Sequence, residues 1–192
     1  MAWSKPSGDG GGVSGEEYGW NDNIQWFSNA RGNGTTEPQW RDMGNGHYGY
    51  NFTTGEELFI NYHILHDYKQ GTNAYPHIHF IVDQTMTAGQ QITWRFGYVI
   101  AKGHAQGQSL TVAETTFDMT YTATGAEIAG EHLLLECSDL QAFDVIEPDA
   151  IVSARVELIS ENVAGLVYGI MCDLHYQTDR HSTLNKAPDF YA

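Results

Sequence analysis

The sequence predicts an all-β protein: an antiparallel two-sheet β-sandwich, jelly-roll-like, with an extended N-terminal arm and a C-terminal tail. Three observations predict it. From residue 56 onward apolar side chains recur at every second position, the period of a strand with one buried face. Turn chemistry separates the runs, as in Gln70-Gly71-Thr72-Asn73, Thr87-Ala88-Gly89 and Thr124-Gly125. No apolar stripe of helical period is long enough for a stable helix, although a short helical piece near 137–147 is allowed. Strands without intervening helices favour a sandwich over a parallel α/β fold.

Residues 1–50 form the arm and residues 51–192 the sandwich domain with its tail. The arm opens with linker chemistry, Ser7-Gly8-Asp9-Gly10-Gly11-Gly12. It nevertheless carries Trp3, Trp20, Trp26 and Trp40, four of the five tryptophans. Rings of that size bury roughly 150–250 Å² each when packed. The arm is therefore expected to dock through aromatic anchors, on its own sandwich or on a neighbouring subunit.

The strands come in order along the chain. Leu58–Leu65 reads as one. Pro76-His77-Ile78-His79-Phe80 opens the next, where a proline without its N–H is tolerated. Ile92, Trp94, Phe96, Tyr98 and Ile100 alternate with polar or small neighbours and give the clearest strand. Phe117, Met119 and Tyr121 share a face of a Thr-rich run, and Glu131–Cys137 is a short candidate. Val152, Ala154, Val156 and Leu158 line another. Leu166, Tyr168, Ile170, Cys172, Leu174 and Tyr176 are expected on one face of the last. The tail from Gln177 to Ala192 ends in two further anchors, Phe190 and Tyr191.

Charge and length narrow the function. The 192 residues fit one domain, and Lys+Arg total 9 against 24 Asp+Glu, a formal net charge of −15. Nucleic acid needs a basic patch to displace counterions, and an anionic membrane needs the same, so neither is expected as a partner. The start, Met1-Ala2-Trp3-Ser4-Lys5-Pro6, lacks the basic and apolar regions of a secretory leader, so folding in the host cytoplasm is expected. Cys137 and Cys172 sit in apolar runs and read as buried free thiols.

Nine histidines supply the only concentrated chemistry. His77 and His79 lie two apart on a strand and project from one face. With His175 they form a candidate metal set of the kind found in cupin-like enzymes. Asp173 extends it to a mixed histidine–carboxylate set, and His63 and His66 are further candidates. The plain alternative is a layer of strand histidines hydrogen-bonded to their neighbours. On that reading the protein has no catalytic residues, cofactor or metal. No nucleophile elbow and no phosphate loop is present.

His66-Asp67-Tyr68-Lys69-Gln70-Gly71-Thr72 leading into Tyr75–Phe80, then Trp94-Arg95-Phe96-Gly97-Tyr98, Pro148-Asp149-Ala150-Ile151 and Asp173–Arg180, resembles a group of tailed-bacteriophage and prophage virion structural proteins. The resemblance covers roughly residues 42 to 191. It implies a non-enzymatic virion protein. Its best match in role is an oligomeric capsid decoration (cement) protein, a trimer favoured, bound to the major capsid protein or another virion protein through arm and tail. A tail-fibre or receptor-binding module and a cupin-like metal-dependent enzyme are the alternatives.

Overall fold

A computed structural model describes residues 19–143 and 147–178. The strands are β1 (Gly19–Trp26), β2 (Gln39–Gly44), β3 (His47–Phe52), β4 (Glu57–His63) and β5 (Ala74–Val82). They continue with β6 (Gln91–Ala101), β7 (Thr115–Thr122), β8 (Leu133–Glu136), β9 (Ile151–Glu161) and β10 (Val167–Thr178). Two antiparallel sheets result. The larger runs β2-β3-β10-β5-β8 with β1 also paired to β10, and the smaller runs β4-β9-β6-β7. From β3 onward the chain crosses between them at every connection except the β6–β7 hairpin, giving a β3-β10-β5-β8 sheet and a β4-β9-β6-β7 sheet, the strand order of a jelly roll.

Period-two patterning explains the packing. Ile92, Trp94 and Phe96 of β6, Val152, Val156 and Leu158 of β9, and Leu58, Ile60 and Tyr62 of β4 turn inward and are buried. They meet Ile78, Phe80, Cys172 and Leu174 from the larger sheet. Removing a large apolar side chain of this kind from water contributes about 1.5–3 kcal/mol. The Trp94 ring is T-shaped on Phe52, with centroids 4.9 Å apart.

The outer face of the smaller sheet carries ion pairs beside the exposed Phe59. Arg155 reaches Glu57 at 2.7 Å and Glu114 and Glu157 at 2.5 Å each. Arg95 grips Asp118 with two bonds, at 2.7 and 3.0 Å.

Two expectations change. The segment expected as an extended arm is strand from Gly19 onward. β1, β2 and most of β3 lie within 1–50, and the boundary at residue 50 cuts through β3. Alternation in β1 is inverted, which hides it: Asn21, Asn23 and Gln25 take the positions where a core strand carries apolar groups. Trp3, Phe190 and Tyr191 lie outside the described residues.

The second change is in β10. Its register with β5 slips between Gly169 and Met171. A residue inserted into a strand reverses the facing of every residue after it. Cys172, Leu174 and Tyr176 therefore share a face, but Leu166, Tyr168 and Ile170 do not continue it. The core position before the slip is Gly169, and Phe27 and Phe52 close over it.

Candidate functional site

The larger sheet carries the chemistry on its outer face. In β5, Ile78 and Phe80 enter the core, so His77 and His79 must point the other way. Opposed residues of an antiparallel pair share a face. Register therefore sets Asp173 of β10 and Glu136 of β8 on either side of His77. It also sets His175 opposite Tyr75 on one side and Asp22 of β1 on the other.

The result is a row of imidazoles and carboxylates. His77 Nε2 and His79 Nε2 each lie 3.3 Å from Asp173 Oδ2. His79 Nδ1 is 2.6 Å from His132 Nε2, and the two rings stack. His175 is held at both nitrogens, Nδ1 at 3.1 Å from Glu136 and Nε2 at 3.5 Å from Asp22. The middle of the row is buried although it stands outside the sandwich: His77 is 3% exposed, His79 7% and Asp173 2%. His77 Nδ1, His79 Nε2 and Asp173 Oδ1 make no hydrogen bond. Burial pushes the Asp173 carboxyl up, but His77 and His79 together outweigh it and hold the group below its ordinary value.

The set anticipated as His77, His79 and His175 is divided by the structure. His77, His79 and Asp173 bring ligand atoms together, and so do Asp22, His77 and His175, with His77 common to both. Asp173 is legible from its spacing to His175. Glu136, Asp22 and His132 are not, because only strand register brings them in. The thiols offer no ligand here: both are buried, and burial pushes Cys137 up to about 12 and Cys172 higher still.

A second cluster lies where β4 and β6 end and β9 begins. Asp149 Oδ1 meets His63 Nε2 at 3.2 Å and His66 Nε2 at 3.0 Å, and Oδ2 meets His104 Nε2 at 2.7 Å. Both Asp149 and His104 have positive φ, 63° and 55°. A non-glycine side chain seldom adopts that region, so this end of the sandwich is under local strain.

The aromatic anchors are also placed. Trp20, Ile24 and Trp26 of β1 stand exposed on the outer face, in register with Gln177, Asp173 and Met171. Trp20 packs edge-on against Tyr75 and His175. Trp40 of β2 stacks on Tyr48 and meets Tyr50 edge-on, and is itself half exposed.

Fold and site together define a jelly-roll β-sandwich with a histidine–carboxylate row and an aromatic strand on one outer face. No family model matches this chain, and no curated protein matches it. Among solved structures it is similar to dimeric latent PorU from Porphyromonas gingivalis, at 11% identity and a TM-score of 0.40. That similarity covers 83% of this chain, which spans 13% of the PorU chain.

Proposed function

We propose that this protein is a non-enzymatic virion structural protein, an oligomeric capsid decoration (cement) subunit. In this reading it attaches to the major capsid protein or a neighbouring virion subunit through the outer face of its larger sheet. The observation that carries the reading is the inverted β1. That strand turns Asn21 and Asn23 toward the body of the protein, where they bond Tyr176 Oη and the His63 carbonyl, and leaves its apolar residues outside. Trp20 is 53% exposed, Trp26 49% and Ile24 45%. Large apolar side chains exposed along one strand face, with Asp22 between Trp20 and Ile24, suit a contact site. The ion-paired face of the smaller sheet is suited instead to solvent. The virion assignment comes from the motif resemblance, and a jelly roll is one of the folds used for capsid proteins.

The test is co-sedimentation of the purified chain with assembled capsids, together with its mass in solution. A trimeric mass and saturable capsid binding support the reading. A monomer that leaves capsids unbound overturns it.

One feature favours a receptor-binding module instead. Trp20, Tyr75, Glu136, Asp139 and His175 line a cavity of about 260 Å³. Aromatic walls with carboxylates beside them suit a sugar ring. Binding to host-surface glycans, lost in Trp20→Ala, would favour that role.

A further inference from the structure

We propose that His77, His79 and Asp173 bind one divalent transition-metal ion of the zinc class on the outer face of the larger sheet. The proposal stands on the geometry of these side chains and is independent of the virion reading.

The first argument is the unmet bonding of the buried donors. His79 Nδ1 and His132 Nε2 are 2.6 Å apart, so one carries the proton they share. If His79 is the donor, its Nε2 is a bare lone pair 3.3 Å from a carboxylate oxygen, and the two repel. If His132 is the donor, His79 Nε2 carries a proton that faces Asp173 Oδ2 at 3.3 Å without being aligned for a hydrogen bond. The first arrangement buries an acceptor against an acceptor and the second leaves a poorly aligned bond, and both cost free energy relative to a well-formed pair. A cation resolves the first arrangement, because both lone pairs then point at positive charge. Asp173 Oδ1 has no hydrogen bond either and gains from the same charge.

The second argument is spacing. Two ligands held about 2.0–2.1 Å from a tetrahedral ion stand roughly 3.3–3.4 Å apart. Both imidazole-to-carboxylate distances here are 3.3 Å. Two imidazoles and one carboxylate suit zinc, iron(II) or cobalt(II), and are too nitrogen-rich for magnesium or calcium.

The third is the surrounding shell. Metal-bound histidines usually engage a second group through the other ring nitrogen. His79 engages His132, and His77 Nδ1 faces Glu136 at 4.0 Å. The ion would join β5 to β10, the two strands at the middle of the sheet. The alternative set, Asp22, His77 and His175, is more open, and both nitrogens of His175 already face carboxylates.

The experiment uses the untagged full chain stripped by a chelator. It is titrated with zinc chloride by calorimetry and with cobalt chloride by visible absorption. One equivalent of zinc should bind, and cobalt should develop the bands of a low-coordinate nitrogen–oxygen site. Asp173→Asn and His79→Gln should each weaken binding by about tenfold or more, with circular dichroism unchanged. His175→Gln should leave it nearly unaltered. Absence of saturable zinc binding overturns the proposal. So does binding that survives both substitutions, or binding abolished by Asp149→Asn, which would place the ion at the other histidine cluster. If either site variant fails to fold, X-ray absorption at the zinc edge of the unaltered protein decides. Two imidazoles in the first shell support the site, and an all-oxygen shell overturns it.

Discussion

The hydroxyl of Tyr62 donates to the backbone carbonyl of Cys172 at 3.0 Å, joining β4 in one sheet to β10 in the other. Both residues are fully buried. Apolar packing between the sheets is non-directional, whereas this bond fixes one position of β10 against one of β4. Burial is the first cause that holds the phenol well above its ordinary value.

Tyr62→Phe keeps the ring and removes the donor. A typical buried hydrogen bond contributes about 0.5–1.5 kcal/mol net. Urea unfolding should show that loss as a lower midpoint with an unchanged slope. A loss above about 3 kcal/mol would mean that the sheets had repacked.

Gly169 is where β10 slips register and where two rings close over the strand. A Cβ there would lie 2.6 Å from Phe27 and 2.7 Å from Phe52. Both rings are buried and cannot withdraw cheaply. Gly169→Ala should therefore destabilise by about 1–3 kcal/mol, as overpacking does. If thermal melting is unchanged, the rings have room to move and the close approach is not a constraint.

These two residues also mark the limits of sequence reading. Strands with regular alternation, β6 and β9 above all, are legible because each keeps a single period. The outward pair His77 and His79 is legible for the same reason. The facing of β10 across its slip is not, because a bulge changes facing without changing composition. β1 reads as arm because its polar side faces the body. The partners Glu136 and Asp22 depend on strand register, and register is a long-range property that no local pattern encodes. The Asp149 cluster is hidden because its members come from three separate segments: His63 and His66 at the end of β4, His104 beyond β6 and Asp149 before β9.

Glu127 closes the turn after β7. It accepts from the Thr124 N–H at 2.8 Å, the Thr124 hydroxyl at 2.9 Å, the Gly125 N–H at 2.9 Å and the Tyr121 hydroxyl at 2.9 Å. The Thr124 backbone bond leads in lowering its pKa from 4.5 to about 2. A depressed carboxylate stabilises the fold above its unfolded value and loses that contribution as pH falls through the folded one. Thermal stability should thus decline between about pH 4.5 and pH 2, and Glu127→Gln should flatten that part of the profile. An unaltered profile in the variant would assign the acid transition to other carboxylates.

Asp149 offers a related test with a backbone component. His104 leads, and His63 and His66 assist, in holding its carboxyl below the ordinary value. Its stabilisation is likewise present above the unfolded value near pH 4 and is lost on acidification through the folded one. Asp149→Asn tolerates the left-handed backbone and removes only the charge, whereas Asp149→Ala adds strain at φ 63°. The alanine variant should be the less stable of the two at neutral pH. Equal melting temperatures would show that charge alone matters there.

The exposed residues of β1 separate folding from assembly. Ile24 and Trp26 are held in the sheet by backbone pairing to Asp173 and Met171, and about half of each side chain remains in solvent. Replacing both with threonine keeps strand propensity and removes apolar surface. Such surface substitutions usually change stability by no more than about 0.5 kcal/mol. Melting should therefore stay close to that of the unaltered chain while oligomer mass or capsid binding falls sharply. The opposite result, a destabilised protein whose association is intact, would mean that these side chains support their own sandwich and that the docking surface lies elsewhere.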